Sequence, residues 1–121
     1  MNNTEKRQNF FIKIAMLTIL CELKNIRIVP TSIFRTAEEQ NKLFKEGKSN
    51  CDGYNKKSFH QSWLAVDFCV MNVERDNFVW EYTDQYRQMG EIAEKLGLTW
   101  GYRFWEQGKT SFKDIYHIQY K

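Results

Sequence analysis

Histidine occurs only twice in the 121 residues, and each time a carboxylate stands close by. The first segment is Ser58-Phe59-His60-Gln61-Ser62-Trp63-Leu64-Ala65-Val66-Asp67; the second is Asp114-Ile115-Tyr116-His117. If both serve one site, the chain must bring positions 60, 67 and 117 to a single point. A small sheet can meet that requirement, with Asp67 on one strand, His117 on the last strand and His60 at the end of the loop before the first of them. Two imidazoles and a carboxylate form a three-ligand zinc set that leaves a fourth position open for water. Asp114, three residues before the last ligand, is then placed to handle that water's proton. The competing metal reading is the two-histidine, one-carboxylate iron site of oxygenases. There the paired His and Asp sit nearly adjacent on a barrel strand, whereas His60 and Asp67 are seven apart and the chain is short for such a barrel.

The rest of the sequence supplies a frame for that convergence. Phe10, Ile14, Leu17 and Cys21 recur at helical spacing, which predicts a helix over 5–24. Residues 26–34 are rich in β-branched side chains and hold the only proline, Pro30, as an edge strand would. Thr36-Ala37-Glu38-Glu39 is a capping-box pattern opening a helix that Gly47 ends. Residues 48–57 read as a polar loop, and Leu64 to Met71 as a central strand. A further helix starts at Thr83 or Asp84, with Tyr82, Tyr86, Met89, Ala93 and Leu96 on one face and Gly97 as its stop. Leu98 to Phe104 and Ile115 to Tyr120 complete the strands. The expected fold is α+β: a small, largely antiparallel sheet with helices packed on it, forming one domain over residues 1–121.

Composition narrows the partners. An apolar fraction of 42% and an aromatic fraction of 16% indicate a chain that folds alone rather than a disordered one. The net charge of +3 comes from 18 basic and 15 acidic residues with no block of one sign, which argues against nucleic acid. Cys21, Cys51 and Cys69 are an odd count without a C-x-x-C pair, so neither a disulfide framework nor a thiolate zinc site is expected. The apolar stretch Phe10 to Cys21 follows Lys6 and Arg7 as in a signal peptide. It is interrupted by Lys13, lacks a cleavage site and is too short to span a bilayer. The sequence therefore reads as made in the cytoplasm without a signal peptide and without membrane insertion.

The two histidine motifs resemble a family signature, S-x-H-x-x-G-x-A-x-D followed near the C-terminus by D/E-x-x-H. It belongs to the zinc peptidases of bacterial wall peptides: D-alanyl-D-alanine carboxypeptidases and phage L-alanyl-D-glutamate endopeptidases. Ser58, His60, Ala65, Asp67, Asp114 and His117 stand at motif positions, Arg35 to Gln40 is similar to the upstream segment, and Trp100-Gly101 to the pair before the last strand. The resemblance implies zinc on His60, Asp67 and His117, and Asp114 as general base and acid. It implies Arg35 as an oxyanion or carboxylate clamp, and Ser58, Gln40 and Trp100 as substrate-lining residues. Tyr54, Tyr102 and Trp105 are further groove candidates. The plain alternative for Arg35 is a surface ion pair with Glu38 or Glu39. Aspartate before x-x-His and the short length are similar to the phage branch.

By that resemblance the chain is a monomeric zinc peptidase acting on peptidoglycan stem peptides, cutting L-alanyl-D-glutamate or, second, D-alanyl-D-alanine bonds. It would reach the wall after release from the cytoplasm or as a virion component, without a separate wall-binding domain. The rival class is a non-catalytic virion or wall-binding module that keeps zinc for stability. Four positions depart from the pattern. Trp63 stands at the motif glycine, Ile33 at the glycine two residues before the arginine, and Tyr102-Arg103 follow Trp100-Gly101.

Overall fold

The computed structural model describes residues 1–121. Helix α1 spans Asn3–Leu23, opened by a capping box in which Asn2 Oδ1 accepts from the Glu5 amide and Glu5 answers to the Asn2 amide. It buries Phe10, Ile14, Leu17 and Cys21, the face expected from their spacing. Strand β1 (Ile28–Ser32) follows, then α2 (Ala37–Lys45), whose cap is the Thr36–Glu39 box and which Gly47 closes at φ 74°. A 3-10 turn over Phe59–Ser62 leads into β2 (Ala65–Met71), which is succeeded by β3 (Phe78–Val79), α3 (Asp84–Lys95), β4 (Thr99–Trp100), α4 (Tyr102–Glu106) and β5 (His117–Gln119).

The sheet is antiparallel throughout and runs β1-β2-β5-β4, with β3 also paired to β2. This is the expected α+β architecture, with β1 on the edge and β2 in the middle. Pro30 is tolerated because β1 has only one neighbour, and the register slips between Pro30 and Ser32. Alternation along the strands separates two faces. Val66, Phe68 and Val70 of β2 and Ile118 of β5 join Phe10, Leu17, Tyr86 and Met89 of the helices in one core. Asp67 and His117 lie between those positions and face the other way.

Three expectations need correction. The predicted strand from Leu98 to Phe104 stops at Trp100, and residues 102–106 turn into α4. The break is at Gly101, whose backbone lies so close to the last strand that a Cβ there would sit 2.9 Å from both His117 Cβ and the Asp114 carbonyl oxygen. Tyr82 is exposed, one residue before the Thr83 cap, so the buried face of α3 is Tyr86, Met89, Gly90 and Ala93. Trp100, expected in a substrate groove, is fully buried: its indole N–H donates to the Ile115 carbonyl at 2.9 Å, and its ring lies against Gly90. A Cβ at Gly90 would fall 2.0 Å from that ring, so only glycine admits it.

Candidate metal centre

The ladder between β2 and β5 aligns Asp67 with His117. Phe68 N donates to Tyr116 O across the next pair, which makes Asp67–His117 a non-hydrogen-bonded pair, the type whose side chains approach most closely. His117 Nδ1 lies 3.2 Å from Asp67 Oδ1. His60 arrives from the 3-10 turn, whose first residue is capped by Ser58: its Oγ accepts from the His60 amide, and the Ser58 amide donates to Gln61 Oε1. His60 Nε2 then lies 3.2 Å from the same Asp67 Oδ1. One donor atom from each of the three residues falls within 4.8 Å of the others.

The outer partners of the imidazoles decide which nitrogens point inward. His60 Nδ1–H donates to the Ile33 carbonyl at 2.9 Å, and His117 Nε2–H to Gln119 Oε1 at 2.7 Å. The ring nitrogens facing Asp67 therefore carry lone pairs when the imidazoles are neutral. Two lone pairs and a carboxylate oxygen repel one another unless a cation lies among them. The two 3.2 Å separations match the edge of a tetrahedron with bonds of about 2.0–2.1 Å, the zinc–nitrogen and zinc–oxygen range. Backbone and side-chain acceptors behind metal-bound histidines fix tautomer and orientation in the same way. The donor set fits zinc.

Electrostatics follow from that geometry. Where protons on the imidazoles take the cation's place, burial still works against ionisation of Asp67, but the hydrogen bonds and charges of His117 and His60 hold its carboxyl well below the usual range. Burial disfavours charge on His117, yet its bond to Asp67 and the nearby Asp114 carboxylate raise its pKa overall. Asp114 is pushed up, chiefly by burial and also by the charge of Asp67, against the pull of His117, Arg35 and His60. No hydrogen bond inside the chain holds the Asp114 carboxylate, which lines a cavity of about 730 Å³ together with Arg35, Asp67 and His117.

Arg35 does not pair with Glu38 or Glu39. Its Nη2 donates to Asp67 Oδ2 at 2.6 Å and its Nη1 to Gln40 Oε1 at 3.2 Å. Gln40 is fully buried and anchored by Ser49 Oγ and the Cys51 carbonyl, so it stands behind Arg35 instead of lining the cavity. Ser58 borders the cavity and also caps the turn that carries His60. Of the aromatic groove candidates, Tyr54, Trp100, Tyr102 and Trp105 lie outside the lining; Phe59, Phe104, Phe112 and Tyr116 are on it. Sequence reasoning passed over Gln119, although strand alternation from His117 places it on the same face. Ser58-x-x-Gln61 is also a capping-box pattern, which could have announced the turn.

Convergent lone pairs, a shared carboxylate, and a second carboxylate and a guanidinium at the mouth of a cavity make this a candidate mononuclear metal centre of the hydrolytic type. The family model described as D-alanyl-D-alanine carboxypeptidase (peptidase M15) matches residues 52–120, and the chain belongs to that family. It is 32% identical over 109 residues to the peptidoglycan L-alanyl-D-glutamate endopeptidase CwlK of Bacillus subtilis, an alignment taking in 79% of this chain and 62% of that protein. The fold is shared with the L-Ala D-Glu endopeptidase ChiX of Serratia marcescens (TM-score 0.65, 20% identity, 98% of this chain and 86% of that one). It is also shared with the vancomycin-resistance D,D-pentapeptidase VanY, solved with Zn(II) (TM-score 0.69, 17% identity, 92% and 70%). No helix of the chain is long and apolar enough to cross a membrane.

Proposed function

We propose that the protein is a zinc metallopeptidase that hydrolyses a peptide bond in peptidoglycan stem peptides, by preference L-alanyl-D-glutamate. The observation that carries the reading is the convergence of the two inward-facing imidazole nitrogens on one oxygen of Asp67, beside a cavity that Asp114 and Arg35 share. His60, Asp67 and His117 would hold the metal. Zinc, when bound, polarises the scissile carbonyl and makes a water acidic enough to attack near neutral pH.

The remaining chemistry belongs to the chain. Asp114 takes the proton of the attacking water and delivers it to the nitrogen of the departing amine. Burial that lifts its pKa towards the working pH makes one carboxyl competent in both directions. Arg35 uses one N–H on Asp67 and one on Gln40, and its guanidinium lines the cavity with donors left for a substrate oxygen. A phage-type endolysin, acting as a monomer on the wall after release or carried in a virion, is the setting we favour. The D-alanyl-D-alanine bond is the second choice, because the matching family model bears that description.

The test is digestion of purified peptidoglycan by the zinc-loaded protein with mass spectrometry of the products. New L-alanine C-termini and glutamate N-termini support the endopeptidase, and released D-alanine supports the carboxypeptidase. Binding to sacculi without any cleavage refutes both, and leaves a non-catalytic wall-binding module.

A further inference from the structure

The cavity over the metal centre is strongly cationic, although the chain as a whole carries only +3. Arg35, Lys48, Lys56, Lys57, Lys109 and Lys113 line it, against only two carboxylates, Asp67 and Asp114, both at the metal centre. The cations held in ion pairs outside it are arginines. Arg27 and Arg75 share Glu22, Arg87 bridges Asp84 and Glu91, and Arg103 bridges Glu94 and Glu106. The lysines largely lack such partners throughout the chain, and what sets these five apart is that they converge on one cavity. Lys48 has a 3.6 Å contact with Glu46, and Lys113 Nζ sits 4.3 Å from the Trp105 ring centroid. Lys56, Lys57 and Lys109 have no carboxylate within ion-pair distance.

These lysines come from two loops, one between α2 and the 3-10 turn and the other between α4 and β5. The loops meet where Asn50 Nδ2 donates to the Lys109 carbonyl at 3.4 Å. Unpaired charges of one sign around a concave site concentrate its field and favour an oppositely charged ligand. Because the lysines line a cavity whose floor is the metal centre, what they meet is a short segment that enters it. A long polyanion lying on the outer surface would not need them there.

We infer that Lys56, Lys57 and Lys109 make the cavity selective for stem peptides bearing free carboxylates next to the scissile bond, over the same peptides with those groups amidated. The inference rests on the peptidase reading and deepens it. A glutamate joined through its amine and one carboxyl still carries a second carboxyl, so the favoured bond presents such a charge.

Two synthetic stem peptides, one with the second carboxylate of that glutamate free and one with it as a carboxamide, test the assignment. The zinc-loaded wild type should favour the acid form by about tenfold in kcat/KM at low salt, the sum of three exposed charge contacts. Raising the salt to about 1 M, where the Debye length is about 3 Å, should erase most of that preference. A combined Lys56→Gln, Lys57→Gln, Lys109→Gln variant should lose the preference through KM, and the corresponding arginine variant should retain it. A glutamine variant that keeps the preference overturns the inference, as does one that weakens turnover of both peptides equally. If the lysines instead attract a wall polymer, the glutamine variant will bind sacculi poorly yet still prefer the acid peptide, which also overturns it. Calorimetric binding of both peptides to zinc-loaded wild-type protein separates this inference from the peptidase reading. Preferential binding of the acid form without cleavage of either peptide sinks the reading and spares the inference, whereas cleavage without preference does the reverse.

Discussion

Arg35 and Asp67 form a 2.6 Å ion pair through Asp67 Oδ2, leaving Oδ1 alone to face both imidazoles. The pair is largely shielded from water, with the side chains 18% and 16% exposed, so the carboxylate is held in one orientation. Arg35 thus supports the proposed metal ligand as well as lining the cavity. Arg35→Lys keeps a charge but cannot bond Asp67 and Gln40 at once from a planar fork. Loss of such an outer contact weakens metal binding by about 10- to 100-fold. Chelator competition should therefore show weaker zinc affinity in Arg35→Lys and Arg35→Ala, alongside the loss of activity. Zinc affinity within about twofold of wild type in both would confine Arg35 to the substrate side.

Asp114→Asn should leave zinc content intact and cut turnover by about 10²-fold or more, because it removes only the proton-handling group. Its effect on stability should run the other way. In the metal-free protein burial raises the pKa of Asp114, so its ionised form costs more in the folded chain than in the unfolded one, and a neutral amide of the same shape avoids that cost. The melting temperature should stay level or rise. A variant that melts lower and loses zinc would make Asp114 a structural or ligating residue.

The convergence of His60, Asp67 and His117 was legible in the sequence because these residues sit at fixed spacings in elements the chain specifies locally. Phe10, Ile14, Leu17 and Cys21 announce α1, Thr36 and Glu39 announce α2, and the apolar run into Met71 announces the central strand. What could not be read were relationships set by tertiary packing. Nothing local distinguishes Trp100 in a groove from Trp100 seated on Gly90, and an arginine next to Glu38 and Glu39 gives no sign that its partner is Asp67, 32 positions on. The end of β4 at Trp100 likewise depends on how closely Gly101 passes His117.

Trp63 occupies the motif's glycine position and adopts the left-handed conformation that glycine would, at φ 61°, closing the turn that carries His60. A side chain there costs about 1 kcal/mol. Its ring stacks on Phe34 with centroids 4.7 Å apart, and the Arg7 guanidinium lies 5.0 Å away over its face. Those contacts contribute about 0.5–1.5 kcal/mol each and offset the strain. Trp63→Ala loses the stacking and keeps the strain, whereas Trp63→Gly loses both. Denaturant unfolding should therefore rank glycine above alanine by about 1 kcal/mol, reversing the usual order. Alanine equal to or better than glycine would show that the turn does not impose its backbone on residue 63.

Cys21 and Cys51 should differ in reactivity and in their effect on stability. Cys21 is fully buried in the core, and burial pushes its thiol up from 9.0 to about 11 despite the pull of Lys24. Cys51 is partly exposed on the cavity wall. At pH 8 an alkylating reagent should modify Cys51 in the folded protein and leave Cys21 protected. The linkage has a definite sign. Below pH 9 the Cys21 thiol is neutral in both states and its stabilising contribution is complete. Between pH 9 and 11 the unfolded chain releases its proton first, so stability falls as pH rises. Cys21→Val keeps the core filled but removes the titrating group, so its stability should decline less steeply than wild type over that interval. Parallel stability curves for the two proteins from pH 8 to 10.5 would mean that the Cys21 thiolate is accommodated in the fold.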